Sequence, residues 1–215
     1  MANGTNSSPD LSYPVAGNAP TGDIDAPLVA AAQGGDLQAF EALVARHQKR
    51  MLNIAYRFLD DYDEACDVAQ EAFVSAYKHL GSFRKEAKFT TWLTTITVNF
   101  SKNRLKQLKS RKGHEAYSLD DPIDTADGSL RHDPPSNELS ALKKLEQDEI
   151  RQRVQHCVKK LEPDFREVLV LRDLQDFSYE EIGNILKVRA GTVKSRLFRA
   201  REMVKECLKR VMGEL

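Results

Sequence analysis

The helical rhythm of this 215-residue sequence stops between Gly113 and about Leu139. That stretch holds Pro122, Gly128, Pro134, Pro135 and eight scattered charges with hardly any apolar periodicity, while apolar residues recur at helical spacing on both sides. So long a structureless segment is unusual inside one compact domain, so residues 113–141 read as a flexible acidic linker between two small domains, 28–112 and 142–215. Flexible, its ends lie roughly 30 Å apart on average; fully extended, it spans about 90 Å. Residues 1–27, rich in Ser, Asn, Gly, Pro and Ala, read as a disordered tail.

In the first half, Asp36 is a plausible helix cap ahead of Phe40, Leu43, Val44, Met51, Ile54, Ala55 and Phe58. A second helix from about Asp61 carries Ala65, Val68, Ala69, Ala72, Phe73, Ala76 and Leu80, and ends at Gly81. A short aromatic loop then leads into a third helix through Trp92, Leu93, Ile96, Phe100 and Leu105. In the second half, Leu142, Leu145, Ile150, Val154, Val158 and Leu161 form one stripe. Pro163 suits the first turn of the next helix. No strand-like alternation survives, and the expected class is all-α.

Thirty-two basic and 32 acidic residues cancel, but they are segregated. Asp60 to Glu71 holds six acids and no base, Lys102 to Lys112 six bases and no acid, and Lys187 to Arg210 nine bases against two acids. Blocks of this size create local fields that the net charge hides. No apolar run approaches the roughly 20 residues a membrane span needs. The first basic residue is Arg46, so no signal peptide is expected. Cys66, Cys157 and Cys207 are far apart and odd in number. They form neither a disulfide framework nor a zinc knuckle and read as structural thiols in a reducing cytoplasm. His47, His79, His114, His132 and His156 are scattered, and no Walker loop, His-Glu-x-x-His or GxSxG occurs. No catalytic residue, metal, cofactor or small-molecule substrate is expected.

The strongest local pattern spans Ser178 to Arg201. Ser178 and Glu181 form a capping box, a short helix follows on Ile182, Ile185 and Leu186, and after a turn near Gly191 a second helix begins at Thr192. This is the pattern of a helix-turn-helix, whose second helix enters the DNA major groove. Val193, Leu197 and Ala200 point inward, leaving Lys194, Ser195, Phe198, Arg199 and Arg201 outside. Lys and Arg suit guanine edges, Phe198 a thymine methyl, and Arg196 a phosphate.

On the helix from Asp61, Asp67, Gln70 and Glu71 lie opposite the apolar stripe. The face is either a solvated surface or a site for a basic protein, since DNA would repel it. Phe83 and Phe89 stand among Arg84, Lys85 and Lys88, and Asn99, Lys102, Asn103 and Lys106 follow along one helix face. Aromatics interleaved with cations suit unpaired bases. Trp92 reads as core, and Phe83 fits either a core anchor or a base contact.

Together these motifs resemble the extracytoplasmic-function (ECF) sigma factors of bacterial RNA polymerase, of the sigma-E-like kind. The resemblance rests on Asp67-Val-Ala-Gln-Glu-Ala-Phe73, Phe89-Thr-Thr-Trp-Leu93, Thr97-Val-Asn99 and Gly191 to Glu202, and covers about residues 28–110 and 142–211. It implies that Asp67, Gln70 and Glu71 dock on the clamp coiled coil of the polymerase β′ subunit. Phe83, Arg84, Asn99, Lys102, Asn103 and Lys106 would then contact the −10 promoter element, and Lys194, Ser195, Arg196, Phe198, Arg199 and Arg201 the −35 element. It further implies contact with the β subunit, an anti-sigma factor that masks these faces, and a monomer when free. Position 189 departs from the pattern, with Arg189 where many relatives carry proline, leaving the turn geometry open. A stand-alone helix-turn-helix repressor is the alternative, and it leaves the acidic face and the aromatic loop without a role.

Overall fold

The computed structural model describes residues 23–115 and 138–213, with side chains for 23–111 and 149–213. The expected tail up to residue 22 and the linker residues 116–137 lie outside the described residues. Among those described there is no strand, and the chain folds as two helical halves, as the periodicity predicts.

The first half holds α1 (Ala26–Gln33), α2 (Leu37–Leu59), α3 (Tyr62–His79), a 3-10 turn (Leu80–Ser82) and α4 (Phe89–Glu115). Asp36 caps α2 by accepting from the Gln38 and Ala39 amides, and Asp61 caps α3 by accepting from that of Glu64. Asp60, left-handed at φ 61°, makes the sharp corner between these two helices. Their stripes meet α4 in a core that includes Leu43, Met51, Ile54, Phe58, Ala72, Leu93 and Ile96. Helix α1, whose Leu28 to Ala32 run is apolar without a period, is pinned by Asp25. That carboxylate is buried and accepts from Arg46 while bonding His47 Nε2 at 2.8 Å.

The second half holds α5 (Glu138–Lys159), α6 (Pro163–Leu169) continued by a π-helical turn (Val170–Leu174), α7 (Tyr179–Leu186) and α8 (Ala190–Met212). Helices α4 and α5 thus take in the first and last few residues of the stretch read as linker. Pro163 occupies the first turn of α6, and both bonds of the Ser178–Glu181 capping box are formed at α7. Its core includes Val168, Leu171, Ile182, Ile185, Val193, Leu197 and Ala200.

The unpaired-thiol reading is corrected. Cys157 on α5 and Cys207 on α8 are joined in a disulfide, with Cα atoms 5.7 Å apart across 50 residues of chain, and only Cys66 is free. The helices lie side by side, a proximity that sequence spacing does not carry.

The two halves are packed on one another, and their apolar residues form a continuous core. Helix α4 is buried all round from Thr91 to Val98, because α7 covers the side that α2 and α3 leave open. Across this contact Arg50 stacks on the Phe177 ring at 4.7 Å and donates to both oxygens of Gln175. Thr91 donates to Glu181 at 3.2 Å, Lys159 pairs with Asp60 at 2.6 Å, and Lys102 pairs with Glu167 at 2.7 Å.

Candidate nucleic-acid and partner interfaces

On α3, burying Ala65, Val68, Ala72 and Ala76 against the core turns Asp67, Gln70 and Glu71 to solvent. An unforeseen element of this face is Arg104 of α4. Its guanidinium bonds Glu64, reaches Glu71 at 2.8 Å and lies 3.9 Å from Asp67. Burial works against that charge, but the hydrogen bond to Glu64 and the charges of Glu64, Glu71 and Asp67 raise the pKa of Arg104 overall. One positive group therefore sets the carboxylates in a fixed array. Val74 and Tyr77, 48% and 52% exposed, extend the same face by two turns. The Gln70, Val74, Tyr77 spacing was visible in the sequence as an apolar continuation opposite the core stripe.

The second candidate surface is divided. Arg84, Asn103 and Lys106 are exposed and Asn99 is half-buried. Phe83 is buried, its ring stacked on Trp92 at 4.8 Å and edge-on to Phe89 at 6.1 Å, so here it takes the core-anchor role of the two left open. Gln33 fixes this loop by donating to the Leu80 and Phe83 carbonyls, both at 2.9 Å. Lys102 reaches from the same face to the buried Glu167 of the other half. Burial raises the Glu167 pKa, and its hydrogen bond and charge pairing with Lys102 only partly reverse that.

The third surface is the helix-turn-helix. Its tight point is Gly183, where a Cβ would stand 2.8 Å from the Val188 carbonyl oxygen; Gly191, in the first turn of α8, has open space instead. Lys187 takes the left-handed conformation at φ 55°. Arg189 begins α8 at φ −68°, the angle a proline ring fixes, so arginine keeps the turn. Val193, Leu197 and Ala200 are buried, which leaves Lys194, Ser195, Phe198 and Arg199 outside, Phe198 at 68% exposure. Lys194 stands 5.8 Å over the Tyr179 ring, and Ser195 donates to the Thr192 carbonyl at 3.0 Å. Two flanking cations are already paired: Arg196 with Asp164, and Arg201 with both oxygens of Asp173. The hydrogen bond to Asp173, ahead of an opposing burial effect, raises the pKa of Arg201.

With these surfaces in place, known proteins resolve the family. The family models for Sigma-70 region 2 and Sigma-70 region 4 match residues 43–111 and 151–204, the first spanning the acidic face and α4, the second the helix-turn-helix. The chain is 37% identical over 194 residues to the RNA polymerase sigma-H factor of Pseudomonas aeruginosa, covering 90% of this chain and 98% of that one. It is 37% identical over 182 residues to the ECF RNA polymerase sigma-E factor of Escherichia coli K12, covering 84% and 92%. The chain belongs to the ECF sigma factors. Among solved structures, CnrH in complex with the cytosolic domain of CnrY matches with a TM-score of 0.61 at 26% identity, over 87% of this chain and 99% of that one. The sigma factor RpoE of Bartonella quintana, solved with the anti-sigma factor NepR, shares the fold with a TM-score of 0.62 at 22% identity, over 80% and 98%. In this sigma factor, no described helix is long and apolar enough to cross a membrane, and no three described His, Cys, Asp or Glu side chains gather as a metal site.

Proposed function

We propose that this sigma factor binds bacterial core RNA polymerase through the α3 face and directs it to promoters. The α8 face would read the −35 duplex, and the α4 face would hold melted −10 bases. It acts in the cytoplasm and carries no catalysis of its own. The observation that carries this reading is one chain presenting Asp67, Gln70 and Glu71 on one side and Lys194, Phe198 and Arg199 on another. The acids repel DNA and suit a basic protein surface such as the β′ clamp coiled coil; the cations with an exposed aromatic suit a major groove. A stand-alone repressor has no use for the acidic face.

The division of labour follows from energetics. Capturing unstacked bases costs a few kcal/mol, which pocket and backbone contacts must offset. Asn103 and Lys106 are placed to supply polar and phosphate contacts, with Arg84 at the loop. Lys102 and Phe83 join them once α4 is uncovered and the loop opens. An anti-sigma factor is the fitting regulator, because it would cover the same faces.

The test is promoter opening by reconstituted holoenzyme, followed with 2-aminopurine in the −10 element. Asn103→Ala with Lys106→Ala should lower the opening signal about tenfold while core affinity stays within twofold. Unchanged opening would refute the role of α4.

A further inference from the structure

We propose that Cys157 and Cys207 form a reversible thiol–disulfide site, through which a hydroperoxide sets how firmly α5 is seated on the C-terminal half of α8. The inference rests on the sigma-factor reading in one respect. A chain that works beside RNA polymerase does so in a reducing compartment, where a disulfide is transient and responsive rather than a permanent staple.

The placement favours such a role. Past Ala200, Cys207 is the one buried residue among those described in α8. On α5 the buried side chains among those described are Cys157 and Val158. Beside the bond Val158 is buried while Val154, Val204 and Leu208 are half-buried, so the disulfide adds to a helix seam that is only partly closed. It also lies apart from the DNA-reading half of α8, which Val193, Leu197 and Ala200 hold independently. Both cysteines line a surface cleft of about 500 Å³ with Lys160, Arg210, Met203 and Val211. Arg210 stands three residues beyond Cys207 on α8, Lys160 lies just past the end of α5, and Glu202 and Glu206 balance these cations in the same cleft. Cys207, 8% exposed against 1% for Cys157, is the sulfur a small oxidant meets first.

The chemistry balances. The Cys207 thiolate attacks the peroxide oxygen, the O–O bond breaks, and a sulfenic acid forms as hydroxide or alkoxide leaves. Cys157 then attacks that sulfur and expels the sulfenyl oxygen as water. In sum, two thiols and one hydrogen peroxide give one disulfide and two waters. A dithiol reverses the change by exchange, becoming a disulfide as both thiols return.

The test uses the full chain with Cys66→Ser, reduced with dithiothreitol, freed of reductant and treated with one equivalent of hydrogen peroxide. Expected are the loss of two alkylatable thiols, a cross-linked 157/207 peptide pair, full recovery on dithiothreitol, and a melting temperature for the oxidised form about 10 °C above the reduced one. Exchange protection should rise in α5 and in residues 203–212, while −35 duplex affinity stays within twofold. Cys157→Ser should stop at a Cys207 sulfenic acid that dimedone traps, giving a readout that does not depend on stability. Oxidation to sulfinic acid without a bond, a bond that dithiothreitol does not open, or equal melting temperatures would overturn the proposal. Core polymerase binding is read on the same samples; its absence would refute the sigma reading while leaving the thiol chemistry measurable.

Discussion

Phe198 keeps 68% of its surface in water on a helix whose core-facing side chains, Val193, Leu197 and Ala200, are buried. It packs on nothing that folding needs, so Phe198→Ala should change stability by less than about 0.5 kcal/mol. Losing the base contact proposed for it should weaken −35 binding by holoenzyme about tenfold, or roughly 1.4 kcal/mol, in an anisotropy titration at fixed salt. A large fall in melting temperature would instead make Phe198 structural. Neighbouring residues carry the cost of readiness differently. Arg196 and Arg201 are held by Asp164 and Asp173, so they must exchange carboxylates for phosphates on binding DNA, whereas Arg199 is exposed beside Phe198. Arg104 plays the converse part, a cation that organises acids.

At the scale of helices, the crossing of α7 and α8 depends on Gly183. A methyl there meets a backbone oxygen at 2.8 Å, which no side-chain rearrangement relieves. Gly183→Ala should therefore cost about 1–3 kcal/mol in thermal unfolding, and Gly191→Ala, in open space within a helix, should be neutral or stabilising. Equal effects at the two positions would contradict the geometry. The sequence had drawn attention to Gly191 because it flanks the turn; the close approach at Gly183 is a tertiary fact. The same distinction explains what was legible. Helices α2, α3, α7 and α8 announced themselves through amphipathic spacing and through the caps at Asp36 and Ser178. Helix α1 did not, because Leu28 to Ala32 is apolar without a period. Among the site residues, the outward faces of α3 and α8 follow from which residues face the core. The burial of Phe83 against Trp92, the reach of Arg104 and the Cys157–Cys207 bond each depend on which helices become neighbours.

The docking of the two halves was the least legible feature, because α4 meets α7 at a polar residue, Thr91, which donates to Glu181. Thr91, Thr94 and Thr95 are polar and yet buried, and Thr94 Oγ1 finds no protein partner there. Lys102 is engaged by Glu167 while the halves are docked, so the −10 contact proposed for it competes with that pair. Burial raises the Glu167 pKa despite Lys102, and a carboxyl raised on folding favours the folded, docked state in its protonated form. That contribution is fully present below the ordinary carboxylate pKa of about 4.3 and is lost as pH rises through the raised value. Glu167→Gln should thus melt higher than the parent chain at pH 7, and the two should converge as pH falls towards 4. A Glu167→Gln chain that melts lower than the parent at pH 7 would mean the Lys102 pair outweighs burial.

The whole account turns on one partner. Gel filtration of the purified chain with sigma-free core RNA polymerase should give a stoichiometric complex. Asp67→Lys should abolish it, because it inverts the charge of an exposed acid in the Arg104-braced array without disturbing the core. Co-elution of Asp67→Lys at wild-type affinity would contradict the α3 docking face. A wild-type chain that ignores core polymerase yet binds duplex DNA tightly would contradict the sigma-factor mechanism itself.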